Sequence, residues 1–92
     1  MRGKSAQEFI DTLSYGMEQE FTFRGRTLCA QGWSEDGIVT IAVDQWDPPA
    51  DDYVWMHRAT RADECVEAFL AEPIFDGHTF WEVEGEIEVL YG

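Results

Sequence analysis

The feature that most constrains the fold is a series of three short extended runs that turn-forming residues separate. Residues 18–24 alternate between polar and apolar side chains, which is the pattern of a strand with one buried face. Gly25 follows, then a second extended run over 26–33, the turn cluster 34–37 and a β-branched run over 38–43. Because connections this short join antiparallel neighbours, the pattern predicts a three-stranded antiparallel meander.

A helix is predicted immediately before this meander. Ser5 and Glu8 have the S-x-x-E spacing of a capping box, in which each side chain satisfies a free amide at the start of a helix. Apolar residues then recur at helical spacing: Phe9, Ile10, Leu13 and Met17. Gly16 is placed to end the helix, which therefore has about three turns.

The segment 44–52 is predicted to be an exposed acidic loop, because the adjacent prolines Pro48 and Pro49 exclude a helix or a central strand. Its carboxylates are oxygen ligands of the kind that Ca²⁺ or Mg²⁺ prefers: Asp44, Asp47, Asp51 and Asp52. Their spacing matches no EF-hand loop and lacks its glycine turn and terminal glutamate, which favours a solvated loop over a metal site.

A fourth strand and a second helix are predicted after this loop. Residues 53–57 suit a strand that returns to the sheet. Thr60 is placed as the N-cap of a helix that Pro73 ends. The apolar face of this helix has four members: Ala62, Val66, Phe69 and Leu70.

The C-terminal segment fits two templates. From Trp81 to Tyr91 the odd positions are apolar or glycine, while the first four even positions are all glutamate, which is the alternation of a strand. The spacing of Phe80, Val83, Ile87 and Leu90 also fits a helix, but a helix stacks the glutamates as like-charge pairs. The strand is the favoured interpretation. Together these elements predict one α+β domain over residues 1–92, with an antiparallel sheet of four or five strands and two helices packed on it.

The charge of the chain excludes several classes of function. Its 19 acidic residues against 6 Lys and Arg give a net charge of −13, while 45% hydrophobic residues exclude a disordered acidic tail. Such a surface repels nucleic acid and anionic membranes, so neither is an expected direct partner. No run approaches the roughly 18–20 apolar residues of a membrane span, and residues 1–4 lead into a polar segment, which predicts that the protein stays in the cytoplasm.

Nothing in the sequence favours catalysis or a cofactor. Cys29 and Cys65 have no paired spacing with each other or with His57 and His78, so a zinc site or a Cys-His nucleophile is disfavoured, and both thiols are expected to be reduced and buried. No phosphate-binding glycine loop or G-x-S-x-G elbow is present. We therefore predict that the protein is not an enzyme and holds no metal.

The last third of the chain is the most acidic, because residues 62–92 contain nine carboxylates and no Lys or Arg. On a strand, Glu82, Glu84, Glu86 and Glu88 repeat every ~6.6 Å. The phosphates of a nucleic-acid strand form a comparable regular ladder, with one charge per ~3.4 Å of helix axis. The ladder therefore indicates a surface that imitates nucleic acid, and the alternative is an acidic face that keeps a small domain soluble.

Two stretches resemble small uncharacterised acidic proteins of bacterial genomes and mobile elements. They are the pattern Gly16-x-Glu18-x-Glu20-Phe21-x-Phe23-x-Gly25-Arg26 and the pattern Ile74-Phe75-Asp76-Gly77-x-Thr79 that leads into Glu86-Ile87-Glu88. This resemblance implies no activity and no functional residues. The size and acidity of the chain are separately similar to those of phage and mobile-element inhibitors that mimic DNA, including many anti-CRISPR proteins.

These observations predict an acidic interaction protein in the bacterial host cytoplasm that inhibits a nucleic-acid-binding protein by presenting a DNA-like surface to its basic surface, most concretely an anti-CRISPR protein. The alternative is an antitoxin or regulatory module that binds its partner through apolar contacts. An aromatic ring among acids suits an arginine-rich partner, so Trp46 is either an anchor or a cover for a sheet edge. The predicted partner-binding residues are Glu82, Glu84, Glu86, Glu88, Asp63, Glu67, Asp47, Asp51, Asp52 and Trp46.

Overall fold

A five-stranded antiparallel sheet with three helices forms the structure, a computed structural model that describes residues 1–92. The elements in chain order are α1 (Ala6–Ser14), β1 (Gln19–Phe23), β2 (Arg26–Glu35), β3 (Ile38–Asp47), β4 (Trp55–Ala59), α2 (Ala62–Ala71), α3 (Phe80–Val83), a 3-10 turn (Glu84–Glu86) and β5 (Ile87–Tyr91). The strand order is β4-β3-β2-β1-β5, so the predicted α+β fold and its meander are confirmed.

The two longer helices differ in how well their sequence signals predicted them. The amide of Glu8 donates to the Ser5 hydroxyl at 3.1 Å and the amide of Ser5 donates to the Glu8 carboxylate at 3.1 Å, so the capping box of α1 is confirmed. Met17 was expected on the apolar face, but α1 ends before it and its side chain is exposed. The N-cap of α2 is Arg61 and not Thr60, and Arg61 gives no capping hydrogen bond because a guanidinium has no acceptor.

The acidic loop is shorter than predicted. Pairing between β2 and β3 continues through Leu28 with Gln45 and Thr27 with Asp47, so Asp44 and Asp47 lie in a strand. The prolines that exclude a central strand begin only at residue 48. The connection to β4 therefore spans residues 48–54.

The predicted C-terminal strand is wrong over residues 81–86 and correct over 87–91. Thr79 and Glu82 form a second capping box, and the short helix α3 buries Phe80 and Val83, which lie three residues apart. Trp81, the first apolar position of the predicted strand, is 55% exposed. The capping box and the burial of Phe80 outweigh the alternation, since a strand places Phe80 and Val83 on opposite faces.

One apolar core lies between the helices and the sheet face that we call the inner face. The ring of Phe9 on α1 stacks on Phe80 with ring centroids 5.6 Å apart, meets Phe21 edge-on at 5.6 Å and lies 6.0 Å from Phe69 of α2. All three helices contribute side chains to this core. No helix has the length and apolarity that a membrane span requires. The opposite face, which we call the outer face, carries no helix.

Candidate protein-binding surface

Two of the four C-terminal glutamates are engaged in local or long-range hydrogen bonds. The amide of Thr79 donates to the Glu82 carboxylate at 2.8 Å, and this bond, with that from the Thr79 hydroxyl, lowers the pKa of Glu82. The guanidinium of Arg24 donates to both oxygens of Glu86, at 2.8 and 3.1 Å, and these bonds lower the pKa of Glu86. Both carboxylates therefore have partners within the chain.

The N-terminal residues reach the other two glutamates. The amino group of Met1 lies 3.0 Å from a carboxylate oxygen of Glu84, and the Arg2 guanidinium lies 3.9 Å from Glu88. The backbone of Arg2 also pairs with β5, donating to the carbonyl of Ile87 at 3.0 Å. With Glu82 and Glu84 outside any strand, the four side chains do not form the predicted regular ladder.

Basic residues from the first third of the chain gather beside the acidic C-terminal third. Arg24 and Arg26 both bind Asp76, at 3.4 and 2.7 Å, and both guanidinium groups lie over the ring of Phe23. On α2, Asp63 binds the Arg61 guanidinium, which lowers the pKa of Asp63, while Glu67 makes no ion pair. The region that is most acidic in sequence is thus substantially neutralised in the fold.

The remaining predicted residues lie around the connection between β3 and β4. Asp51 makes no ion pair, and a carboxylate oxygen of Asp52 accepts from the amide of Tyr53 at 2.8 Å. Trp46 lies in β3 and is 41% exposed. The structure therefore does not gather all predicted residues into one surface, although Asp47 and Glu88 share a row across the sheet.

Carboxylates, most of them unpaired, lie on the outer face in two neighbouring rows. The register places Glu20 and Asp44 on either side of Cys29, so the three side chains share the outer face. The next row runs from Asp47 through Thr27 and Thr22 to Glu88, about 14 Å across three strand spacings. The carboxylates of Glu20, Asp44 and Asp47 make no ion pair and accept no hydrogen bond within the chain. We call these two rows the acidic half of the outer face: Glu20, Asp44, Asp47 and Glu88.

The thiol of Cys29 lies within this negative field. Its burial, followed by the negative charges of Glu18, Asp44 and Glu20, raises the pKa of Cys29 to about 12. Glu20 and Asp44 were not among the predicted site residues. Each is adjacent in its strand to a buried residue, Phe21 or Val43, and successive side chains of a strand face opposite sides. The sequence alone was therefore sufficient to predict that Glu20 and Asp44 face away from the core.

The rest of the outer face carries exposed apolar side chains among polar ones. Exposed side chains of Trp33 and Met56 lie on it with Ile38, and the ring of Tyr53 lies 6.2 Å from that of Trp33. Arg58 shares the row of Trp33 and Thr40 and makes no ion pair. We call this region the apolar half of the outer face: Trp33, Ile38, Tyr53 and Met56.

The thiol of Cys65 is buried beside two backbone carbonyls. The Cys65 thiol lies 3.5 and 3.6 Å from the carbonyls of Val39 and His57, and burial raises its pKa. His57 lies 3.9 Å from Glu72. No group of three or more His, Cys, Asp or Glu side chains is close enough to hold a metal ion.

Comparisons with protein-family models, with curated proteins and with solved structures found no match for this chain.

Proposed function

We propose that this protein binds the basic surface of a nucleic-acid-binding protein and inhibits it by occupying the place of the nucleic acid. An inhibitor of a CRISPR effector is the concrete form of this proposal. The observation that carries it is the pair of rows of carboxylates on the outer face, most of them unpaired, in a chain with a net charge of −13.

The arrangement of these carboxylates favours a protein partner that is built to bind phosphates. Side chains on one face of a strand repeat about every 6.6 Å, and neighbouring strands are about 4.8 Å apart, so the acidic half offers negative charges on a grid in two directions. A groove that binds nucleic acid offers Lys and Arg at spacings that match phosphates. The net charge repels the nucleic acid itself, which leaves its binding proteins as the complementary partners.

A pull-down with matched variants tests the proposal. The purified protein is used to capture proteins from bacterial lysate at about 0.1 M and about 1 M salt, where screening lengths are roughly 10 and 3 Å. Bound proteins are identified by mass spectrometry and challenged with DNA. We expect a nucleic-acid-binding complex that salt and DNA both release.

The double variant Glu20→Gln with Asp44→Asn removes two unpaired charges from the acidic half. Its matched control, Glu82→Gln with Glu86→Gln, removes two charges that already have partners. The first variant should lose the captured complex and the second should keep it. The opposite pattern, or a capture that neither salt nor DNA affects, contradicts the proposal.

The apolar half favours a second candidate function, an antitoxin or regulatory module that binds through apolar contacts. Trp33 and Met56 are exposed on a sheet face that no helix covers. This candidate predicts binding that survives about 1 M salt and is lost on Trp33→Ala or Met56→Ala, while the charge variants bind normally.

A further inference from the structure

A cleft of about 230 Å³ lies between the C-terminal end of α1 and the hairpin of β2 and β3. Ten residues line it, and none of them is Asp, Glu, Lys, Arg or His, although these charged types are abundant in the chain. Its volume is below the range of pockets that hold cofactors or drug-sized ligands, roughly 300–1,000 Å³. The cleft is therefore the size of a site for one large side chain.

The cleft exists because β1 is shorter than β2. The last pair between them joins Gln19 to Ala30, so β2 continues without a strand on that side. The turn after α1 takes that place, with the amide of Gly32 donating to the carbonyl of Gly16 at 3.1 Å. A Cβ atom added to Gly32 would lie only 3.0 Å from the Cα of Gly16, so the absence of side chains at these two glycines permits the close approach. The apolar floor of the cleft includes Val39 and Ile41.

The end of α1 makes the cleft attractive to a cation. A helix C-terminus carries a partial negative charge of about −0.5, and α1 has no basic residue in its last turn. The carbonyls of Ser14 and Tyr15 accept no hydrogen bond within the chain. The side chain of Tyr15 is 79% exposed at the rim of the cleft, whereas the ring of Trp33 lies on the outer face beside Tyr53.

We propose that this cleft binds an arginine side chain of the protein partner. The guanidinium donates to the free carbonyls at the end of α1 and stacks on Tyr15, while its methylene stem lies against Val39 and Ile41. Arginine suits the cleft better than lysine because its planar group combines stacking with several donors. The inference rests on the proposed function, because the protein partner supplies the arginine.

Two peptides of equal charge, octa-arginine and octa-lysine, test the inference by calorimetric titration of the purified protein at about 0.1 M salt. Octa-arginine should bind roughly fivefold more tightly, the factor that corresponds to a typical cation-π contact. The variant Tyr15→Ala should remove that preference while it leaves octa-lysine binding unchanged. The matched control Trp81→Ala removes another exposed aromatic residue outside the cleft and should keep the preference.

The outcomes separate this inference from the proposed function. Equal affinity of the two peptides, with no effect of Tyr15→Ala, overturns the arginine cleft, while the proposed function stands if Glu20→Gln with Asp44→Asn weakens both. If neither peptide binds, both proposals fail. As a second readout, the ring NMR signals of Tyr15 should shift with octa-arginine and not with octa-lysine, and unchanged signals contradict the cleft.

Discussion

The C-terminal segment and the outer face of the sheet are both acidic, but only the outer face keeps most of its carboxylates unpaired. Residues 62–92 contain no Lys or Arg, yet Arg24, Arg26 and the N-terminal residues reach them in the fold. Glu20 and Asp44 are separated in sequence and adjacent to a buried thiol in space, with no base beside them. The difference teaches that a run of charge in sequence does not locate the charge that a partner meets.

The largest expected effect comes from releasing the C-terminal segment from the core. Phe80→Ala removes a buried ring that stacks on Phe9 and lies 5.8 Å from Phe69, which should cost about 3–5 kcal/mol of unfolding free energy in urea titrations. The neighbouring Trp81→Ala removes a ring that is 55% exposed and meets Phe80 edge-on at 5.1 Å, so it should cost clearly less, about 1 kcal/mol. Equal losses in the two variants contradict the position of α3.

A smaller loss of stability is expected when the acidic C-terminal segment loses the ion pairs of Arg24 with Glu86 and Asp76. Arg24→Gln leaves Glu86 without its bidentate partner and Asp76 with Arg26 alone, so the protein should unfold at lower urea, by less than in Phe80→Ala. The loss should shrink at about 1 M salt, where the unpaired carboxylates are screened. Arg58→Gln is the matched control, because Arg58 makes no ion pair. If Arg58→Gln lowers the stability as much as Arg24→Gln does, the ion pairs of Arg24 are not what stabilises the C-terminal segment.

The stability that Glu82 and Glu86 of the same segment contribute should decrease in acid. Hydrogen bonds lower the folded-state pKa of Glu82 and Glu86 below the ordinary value of 4.5, so their stabilisation is present above about pH 4.5 and is lost as the pH falls through the folded values. The variant Glu82→Gln with Glu86→Gln should show a shallower loss of stability on acidification. Identical profiles for the variant and the wild type, measured by urea unfolding, contradict these contacts.

The smallest expected effect is a change in the pKa of the Cys29 thiol, which lies between Glu20 and Asp44. The folded-state pKa of Cys29 is raised from 9.0 to about 12, so its contribution to stability is present below pH 9 and is lost as the pH rises toward 12. Glu20→Gln with Asp44→Asn should lower this pKa by less than burial raises it, because burial is the larger cause. Thiolate absorbance in a Cys65→Ala background measures it, and Glu82→Gln with Glu86→Gln should leave it unchanged.

The sequence predicted the elements whose signals act between near neighbours. The capping box at Ser5 and Glu8 and the turn at Gly25 depend on contacts over a few residues, and α1 and the hairpin of β1 and β2 appear as expected. Residues 81–86 do not form the predicted strand, because a second capping box at Thr79, which was not recognised in the sequence, starts a helix there. The burial of Phe75 was not predicted either, since it lies in the connection after Pro73, outside any amphipathic run.

By itself the sequence determined the fold class, the antiparallel meander, the first helix and the excess of negative charge, because alternation, capping and composition are local or additive properties. Only the tertiary structure decided which carboxylates have partners and where the cleft lies. Arg24 and Glu86 are 62 residues apart, and Gly16 meets Gly32 across two elements. Such contacts depend on how helices and strands pack, which no short window of sequence specifies.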